Sequence, residues 1–142
     1  GLGDVYKRQG IFMKKIEVDF KLLVSDGSMT SFITDGLYEE FDDYIEISFT
    51  EETQIKANTK VDIYKDKVMI QRMGEINMEM EYIMGMDTTL HLTTDFNYQL
   101  SMNNYTKYLE INENSLQIVY QTETDKEQNL THNLFLKWAD IN

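Results

Sequence analysis

The sequence predicts an all-β domain, an antiparallel sandwich or barrel of about eight to ten strands with little helix. Three observations carry that prediction. Apolar and polar residues alternate with a period of two along most of the chain, turn residues interrupt it roughly every ten positions, and helical periodicity is nearly absent. There is no proline anywhere in the 142 residues.

The first clear segment is residues 16–24, where Ile16, Val18, Phe20, Leu22 and Val24 alternate with Glu17, Asp19 and Lys21, the pattern of a half-buried strand. Ser25-Asp26-Gly27-Ser28 reads as a turn, because Asp and Gly tolerate left-handed backbone. A second strand covers residues 29–38, and Asp42-Asp43 marks the next reversal. Ile45, Ile47 and Phe49 then share one face, and strands follow over residues 56–64 and 68–72 around a Lys65-Asp66-Lys67 turn. Met73-Gly74 reads as a bend or bulge, beyond which Ile76, Met78, Met80, Tyr82 and Met84 fall on one face. Further strands are expected over 88–94, 98–102 and 107–111. The last two, 116–122 and 130–138, flank the polar turn Asp125-Lys126-Glu127-Gln128. No second domain, linker, repeat or low-complexity tract is visible.

Composition narrows the function classes. A chain of this length can bury a sizeable core. No apolar run approaches the ~20 residues that span a bilayer, so membrane insertion is not expected. The absence of Cys excludes disulfides, thiolate metal sites and a Cys nucleophile, and suits a reducing cytoplasm. A net charge of −12 repels phosphate backbones and anionic lipid, so neither nucleic acid nor a membrane surface is an expected partner.

Residues 1–12 stand apart. GLGDVYKRQ resembles a translated sequencing-adapter scar, and Met13-Lys14-Lys15 reads like a natural start. The expected domain is therefore residues 13–142, with 1–12 a non-native extension.

The order of side chains resembles that of the YwiB-like family of small bacterial proteins, a domain of unknown function with a calycin-like (lipocalin-type) β-barrel. Four stretches carry the likeness: Gly36-Leu37-Tyr38 followed by Ile47-Ser48-Phe49-Thr50-Glu51; Arg72-Met73-Gly74 with Met80-Glu81-Tyr82 and Gly85; residues Thr94 to Leu100; and Ser115 to Tyr120. Phe49 stands where the family often has Tyr, and Asp95 and Asn97 replace a usual Pro and Gly. Asn at position 97 can still adopt a positive φ, so the turn should survive. The resemblance implies a calycin-like antiparallel barrel and brings no established activity with it.

Parity singles out one polar pair. The face of Ile45, Ile47 and Phe49 continues to Glu51, and the face of Val68 and Ile70 continues to Arg72. If both faces line the lumen, a carboxylate and a guanidinium sit inside. They would form either a structural ion pair or the anchor for an anionic ligand, and the structural pair is the commoner case. Met78 and Met80, with Met84, give a soft lining that fits a small apolar ligand or simple core filling. Phe20, Phe49, Tyr82, Phe96, Tyr98, Tyr120 and Trp138 are the large inward candidates, enough to fill a narrow barrel.

His91 points away from its apolar neighbours and His132 toward them. Neither has metal-ligand spacing, so no metal or other cofactor is expected. Glu79 and Glu81 read as a solvated face. No nucleophile elbow appears, so catalysis ranks below binding. Val119 and Phe135 fall outward on two expected hairpin partners, a patch suited to a protein partner or a homodimer.

The reading is a non-enzymatic module holding a small, partly apolar ligand in the lumen at Arg72, Glu51, Phe49, Met78, Met80, Tyr82, Tyr98 and Tyr120. The alternative is an interaction or dimerisation module with a side-chain-filled barrel.

Overall fold

The computed structural model describes residues 12–51, 56–123 and 130–141. Residues 1–11, the Asp125–Gln128 turn and Asn129 lie outside the described residues. Ten strands follow one another: β1 (Phe12–Val24), β2 (Met29–Glu40), β3 (Ile45–Thr50), β4 (Asn58–Ile63), β5 (Val68–Met73), β6 (Ile76–Tyr82), β7 (Asp87–Thr94), β8 (Gln99–Ile111), β9 (Ser115–Thr122) and β10 (Leu130–Asp140). Each pairs antiparallel with its sequence neighbours, and β10 returns to β1, closing the barrel. An even number of up-and-down strands brings first and last together antiparallel, and closure removes the free edges that open sheets must protect. No helix occurs among the described residues.

Alternation decides what enters the lumen. Ile16, Val18 and Phe20 of β1 are buried while Lys15, Glu17 and Asp19 between them are exposed. Ile47, Ile70 and Met80 all face inward, as their parity predicts. One end of the barrel is made by the amino ends of odd-numbered strands and the carboxyl ends of even-numbered ones. There Ile16, Ile63, Val68, Leu116, Leu136 and Trp138 build a continuous apolar core.

At the opposite end Phe20 stacks on Phe32 with ring centroids 4.8 Å apart, and Phe49 tilts against both. Phe49 is thus core packing between β1, β2 and β3.

Several expectations need correction. Met73 ends β5 and Gly74-Glu75 makes the turn of the β5–β6 hairpin, where Gly74 N–H donates to Asn77 Oδ1 at 3.2 Å, so Met73-Gly74 is not a bulge in a running strand. The expected strands 98–102 and 107–111 are one strand, β8, with its irregularity between Thr106 and Tyr108. Phe96 and Tyr98 do not enter the lumen. They sit at the tip of the β7–β8 hairpin, 94% and 65% exposed, because the chain reverses there through Asn97 at φ 59°. Met84 is exposed in the turn after β6, which Gly85 completes with φ 75°. Ile76, at the mouth of the barrel, is also exposed. The turn residues fare better: Gly27 takes φ 94° in the β1–β2 turn, and Asn97 adopts the positive φ its side chain permits.

Candidate functional site

The apolar end of the lumen is filled, and the chemistry gathers toward the other end. Glu51 follows the carboxyl end of β3, Thr59 opens β4, and Arg72 lies opposite Thr59 near the end of β5. All three point inward by the parity that buries Ile47, Val61 and Ile70. Arg72 Nη2 donates to Glu51 Oε2 at 2.7 Å, and Thr59 Oγ1 donates to Glu51 Oε1 at 3.3 Å. The Glu51 side chain is 5% exposed and that of Arg72 34%. The expected pair therefore exists, with its acid buried and its base reaching the rim.

Beyond this pair lies an aromatic wall. Tyr82 and Tyr120 approach from β6 and β9 with centroids 4.9 Å apart, and the Tyr82 hydroxyl donates to that of Tyr120. Burial, reinforced by this contact, pushes the Tyr82 hydroxyl well above the usual phenol range. Burial also raises that of Tyr120, while the contact with Tyr82 and the Arg72 charge pull it down. Both phenols are neutral at physiological pH. His132 on β10 stacks flat on Tyr120 at 4.7 Å and 4°. Its burial lowers its pKa. The carbonyls of Leu130 and Tyr120 pull the other way, yet neither meets Nδ1 in hydrogen-bonding geometry.

Sequence reasoning missed the third part of the cluster. Asn104 and Thr106 on β8 are 0% exposed and face the lumen with Thr122 of β9. Thr122 Oγ1 donates to Asn104 Oδ1 at 3.1 Å, so the amide nitrogen of Asn104 is left over. Asn104 Nδ2, Thr106 Oγ1, Arg72 Nε and His132 Nδ1 are buried without a hydrogen-bond partner among the described residues. A run of buried polar atoms on neighbouring strands is unusual, because each unmatched one costs about 1–3 kcal/mol.

Of the eight residues expected at the site, seven face the interior. Arg72, Glu51, Tyr82 and Tyr120 belong to this cluster; Met80 is buried and Met78 half-buried, while Phe49 serves the aromatic core. Tyr98 is outside.

The outer wall differs. A groove of about 190 Å³ is lined by Gln71, Asn77, Glu79, His91 and Thr93 and bordered by Arg72, Met73 and Met78; another of about 440 Å³ shares Glu79 and His91. Their polar groups already pair with one another, Gln71 with Glu79 at 3.0 Å and His91 with Ser101 at 3.3 Å. These are solvated surfaces. No group of three or more potential metal ligands is assembled among the described residues.

One outer carboxyl, that of Asp62, is pushed into the physiological range. Asp62 stands directly opposite Glu46 across β3 and β4, and half-burial, then its hydrogen bond to Glu46 and that carboxylate's charge, push its pKa up to about 7. A carboxyl raised in the folded state contributes stability below its unfolded pKa of 3.8, and that stability is lost as pH climbs through 7. Asp62→Asn should therefore raise the melting temperature at pH 8 and give no gain at pH 4. The gain expected is on the order of 1 kcal/mol, since solvent screens a half-exposed pair. Thermal melts at the two pH values check it.

The Tyr82–Tyr120–Arg72 lumen sits on a barrel with known relatives. The fold is similar to that in the crystal structure of ywiB protein from Bacillus subtilis, with a TM-score of 0.78 over 92% of this chain and 94% of that one, at 20% identity. That identity speaks for the fold alone. No curated protein matches the chain. A family model matches residues 14–136, nearly the whole barrel, and the chain accordingly belongs to the family described as Domain of unknown function (DUF1934).

Proposed function

We propose that this barrel is a binding module whose lumen holds a small, partly apolar molecule. The ligand's apolar body would lie against Met78, Met80, Tyr82 and Tyr120, with its polar atoms on the buried groups of Arg72, Asn104 and Thr106. One observation carries the reading: Arg72 Nε, Asn104 Nδ2 and Thr106 Oγ1 are buried within a closed barrel without a hydrogen-bond partner among the described residues. A core selected only to be solid would carry Val or Leu at 104 and 106, as it carries Leu116 and Ile118 on the next strand. Ten strands also make a wider cylinder than eight, the count at which side chains just fill the interior.

Thr106→Val separates a ligand site from a solid core, because it keeps the shape and removes the hydroxyl. Native mass spectrometry of protein purified from cells should show a small-molecule mass excess that disappears in Thr106→Val. A bare mass for both proteins, with Thr106→Val the more stable by about 1 kcal/mol, would sink the reading.

A second reading keeps one specific observation in its favour. Phe96 and Tyr98 project from the β7–β8 tip, close in chain to the exposed Leu100 and across from Ile76, which pairs with Thr94. Such a rim suits contact with a protein partner or a second copy. The outward Val119 and Phe135 are half-buried on adjacent strands, with Tyr108 opposite Val119, and support it less.

A further inference from the structure

We infer that the lumen selects an uncharged, acceptor-rich ligand and rejects a carboxylate of the same shape; the inference rests on the reading of the lumen as a ligand site. It reverses the role that an inward arginine first suggests. The guanidinium is already neutralised, because Glu51 holds it at 2.7 Å from a position almost without solvent. Thr59 engages the second carboxylate oxygen, so the acid is fixed from both sides. The ion pair sums to zero, and the other described lumen groups add no charge. Thr59, Asn104, Thr106 and Thr122 carry no charge. Tyr82 and Tyr120 keep their protons, and burial favours the neutral ring of His132.

A carboxylate entering this space would be a second buried anion facing a single cation, inside a chain of net charge −12. Desolvating a charge without a dedicated partner is unfavourable at any depth, and most of all among Tyr82, Tyr120 and Met80. The geometry of the pair still leaves something to bind. Nη2 of the fork is taken by Glu51, while Nε–H is buried and unmatched among the described residues. The Asn104 amide accepts from Thr122, which turns its NH₂ into a free donor. Thr106, next to Tyr120 in register, offers a hydroxyl that can also donate. Three unmatched inward donors, in a lumen that also carries two phenols and an imidazole in stacking contact, are the complement of carbonyl, ether or hydroxyl oxygens on a flat apolar frame.

Benzamide and benzoate make a matched pair of probes, equal in shape and different in charge. Titrated into the intact protein at pH 7.5 and followed by calorimetry, benzamide should bind about tenfold tighter than benzoate or more. Glu51→Gln uncovers the arginine charge and should invert that order, while Asn104→Leu should weaken benzamide. Benzoate binding as tightly as benzamide to the unaltered protein overturns the charge selection and leaves the lumen reading standing. Failure of both probes at millimolar concentration, or benzamide binding untouched by Asn104→Leu, overturns the two together. Should Glu51→Gln fail to fold, the comparison in the unaltered protein still decides.

Discussion

Arg72→Met is expected to destabilise the barrel by about 3–5 kcal/mol, far more than an ordinary surface charge removal. The asymmetry of the pair is the reason. Arg72 is one-third exposed and can take its charge to the rim, but Glu51 cannot move to water. Without the guanidinium, the buried carboxylate retains, among the described residues, the 3.3 Å side-chain contact from Thr59. The reciprocal change, Glu51→Gln, strands a cation that reaches solvent by itself and should cost about 1–2 kcal/mol. The double replacement Glu51→Leu with Arg72→Met should recover most of the loss, because a buried pair exchanged for apolar groups of similar volume is often neutral. Urea unfolding of the three variants checks this order. Equal, small losses for both single changes would mean that the pair behaves as a surface bridge.

The second large effect is expected at Gly36, and its cause is space. Gly36 lies inward on β2, opposite Ile16 on one side and Phe49 on the other. A β-carbon added there would come within 2.7 Å of the Ser48 carbonyl oxygen and 2.8 Å of Val18 Cγ2. The carbonyl belongs to the β3 backbone, so relief requires the β2–β3 ladder to open. Gly36→Ala should therefore cost about 3 kcal/mol or more, despite the better strand propensity of alanine. Gly27→Ala provides the contrast. Its added carbon meets nothing within 4 Å, and only the φ of 94° opposes it, for about 1–2 kcal/mol. Denaturant midpoints that placed the two variants together would refute the close-approach argument.

How much of this was legible in the sequence depends on what faces inward. Where the lumen is apolar, period-two alternation located the strands and their faces, as in β1, β3, β5 and β10. Glu51 and Arg72 could be found only by extending those same faces by one step. β8 failed the same test for a physical reason. Its inward residues at the centre are Asn104 and Thr106, so the alternation that marks a half-buried strand vanishes and the segment reads as a gap between two shorter strands. A polar lumen hides from hydropathy in proportion to how polar it is. Three consecutive inward-parity positions in β8, Met102, Asn104 and Thr106, were the available signal.

Tyr98 shows the opposite error. Its aromatic character placed it inside, but position relative to a turn outranks residue type. The reversal at Asn97 leaves the tyrosine one position before the ladder of β8 begins at Gln99. The same holds for Phe96 and Met84, large apolar side chains that sit in turns where the barrel has no interior to offer. Met73-Gly74 was ambiguous because a short hairpin and a bulge share the same residues. Only the pairing of Arg72 with Met78 distinguishes them.

The chain contains no Cys, so single cysteines can be placed one at a time along β8 and their reaction with a thiol reagent followed. Positions 103 and 105 should label at once, and positions 104 and 106 only as fast as the closed barrel opens. Rapid labelling at 104 and 106, matching their neighbours, would mean that these polar side chains meet solvent and that no enclosed binding chamber exists.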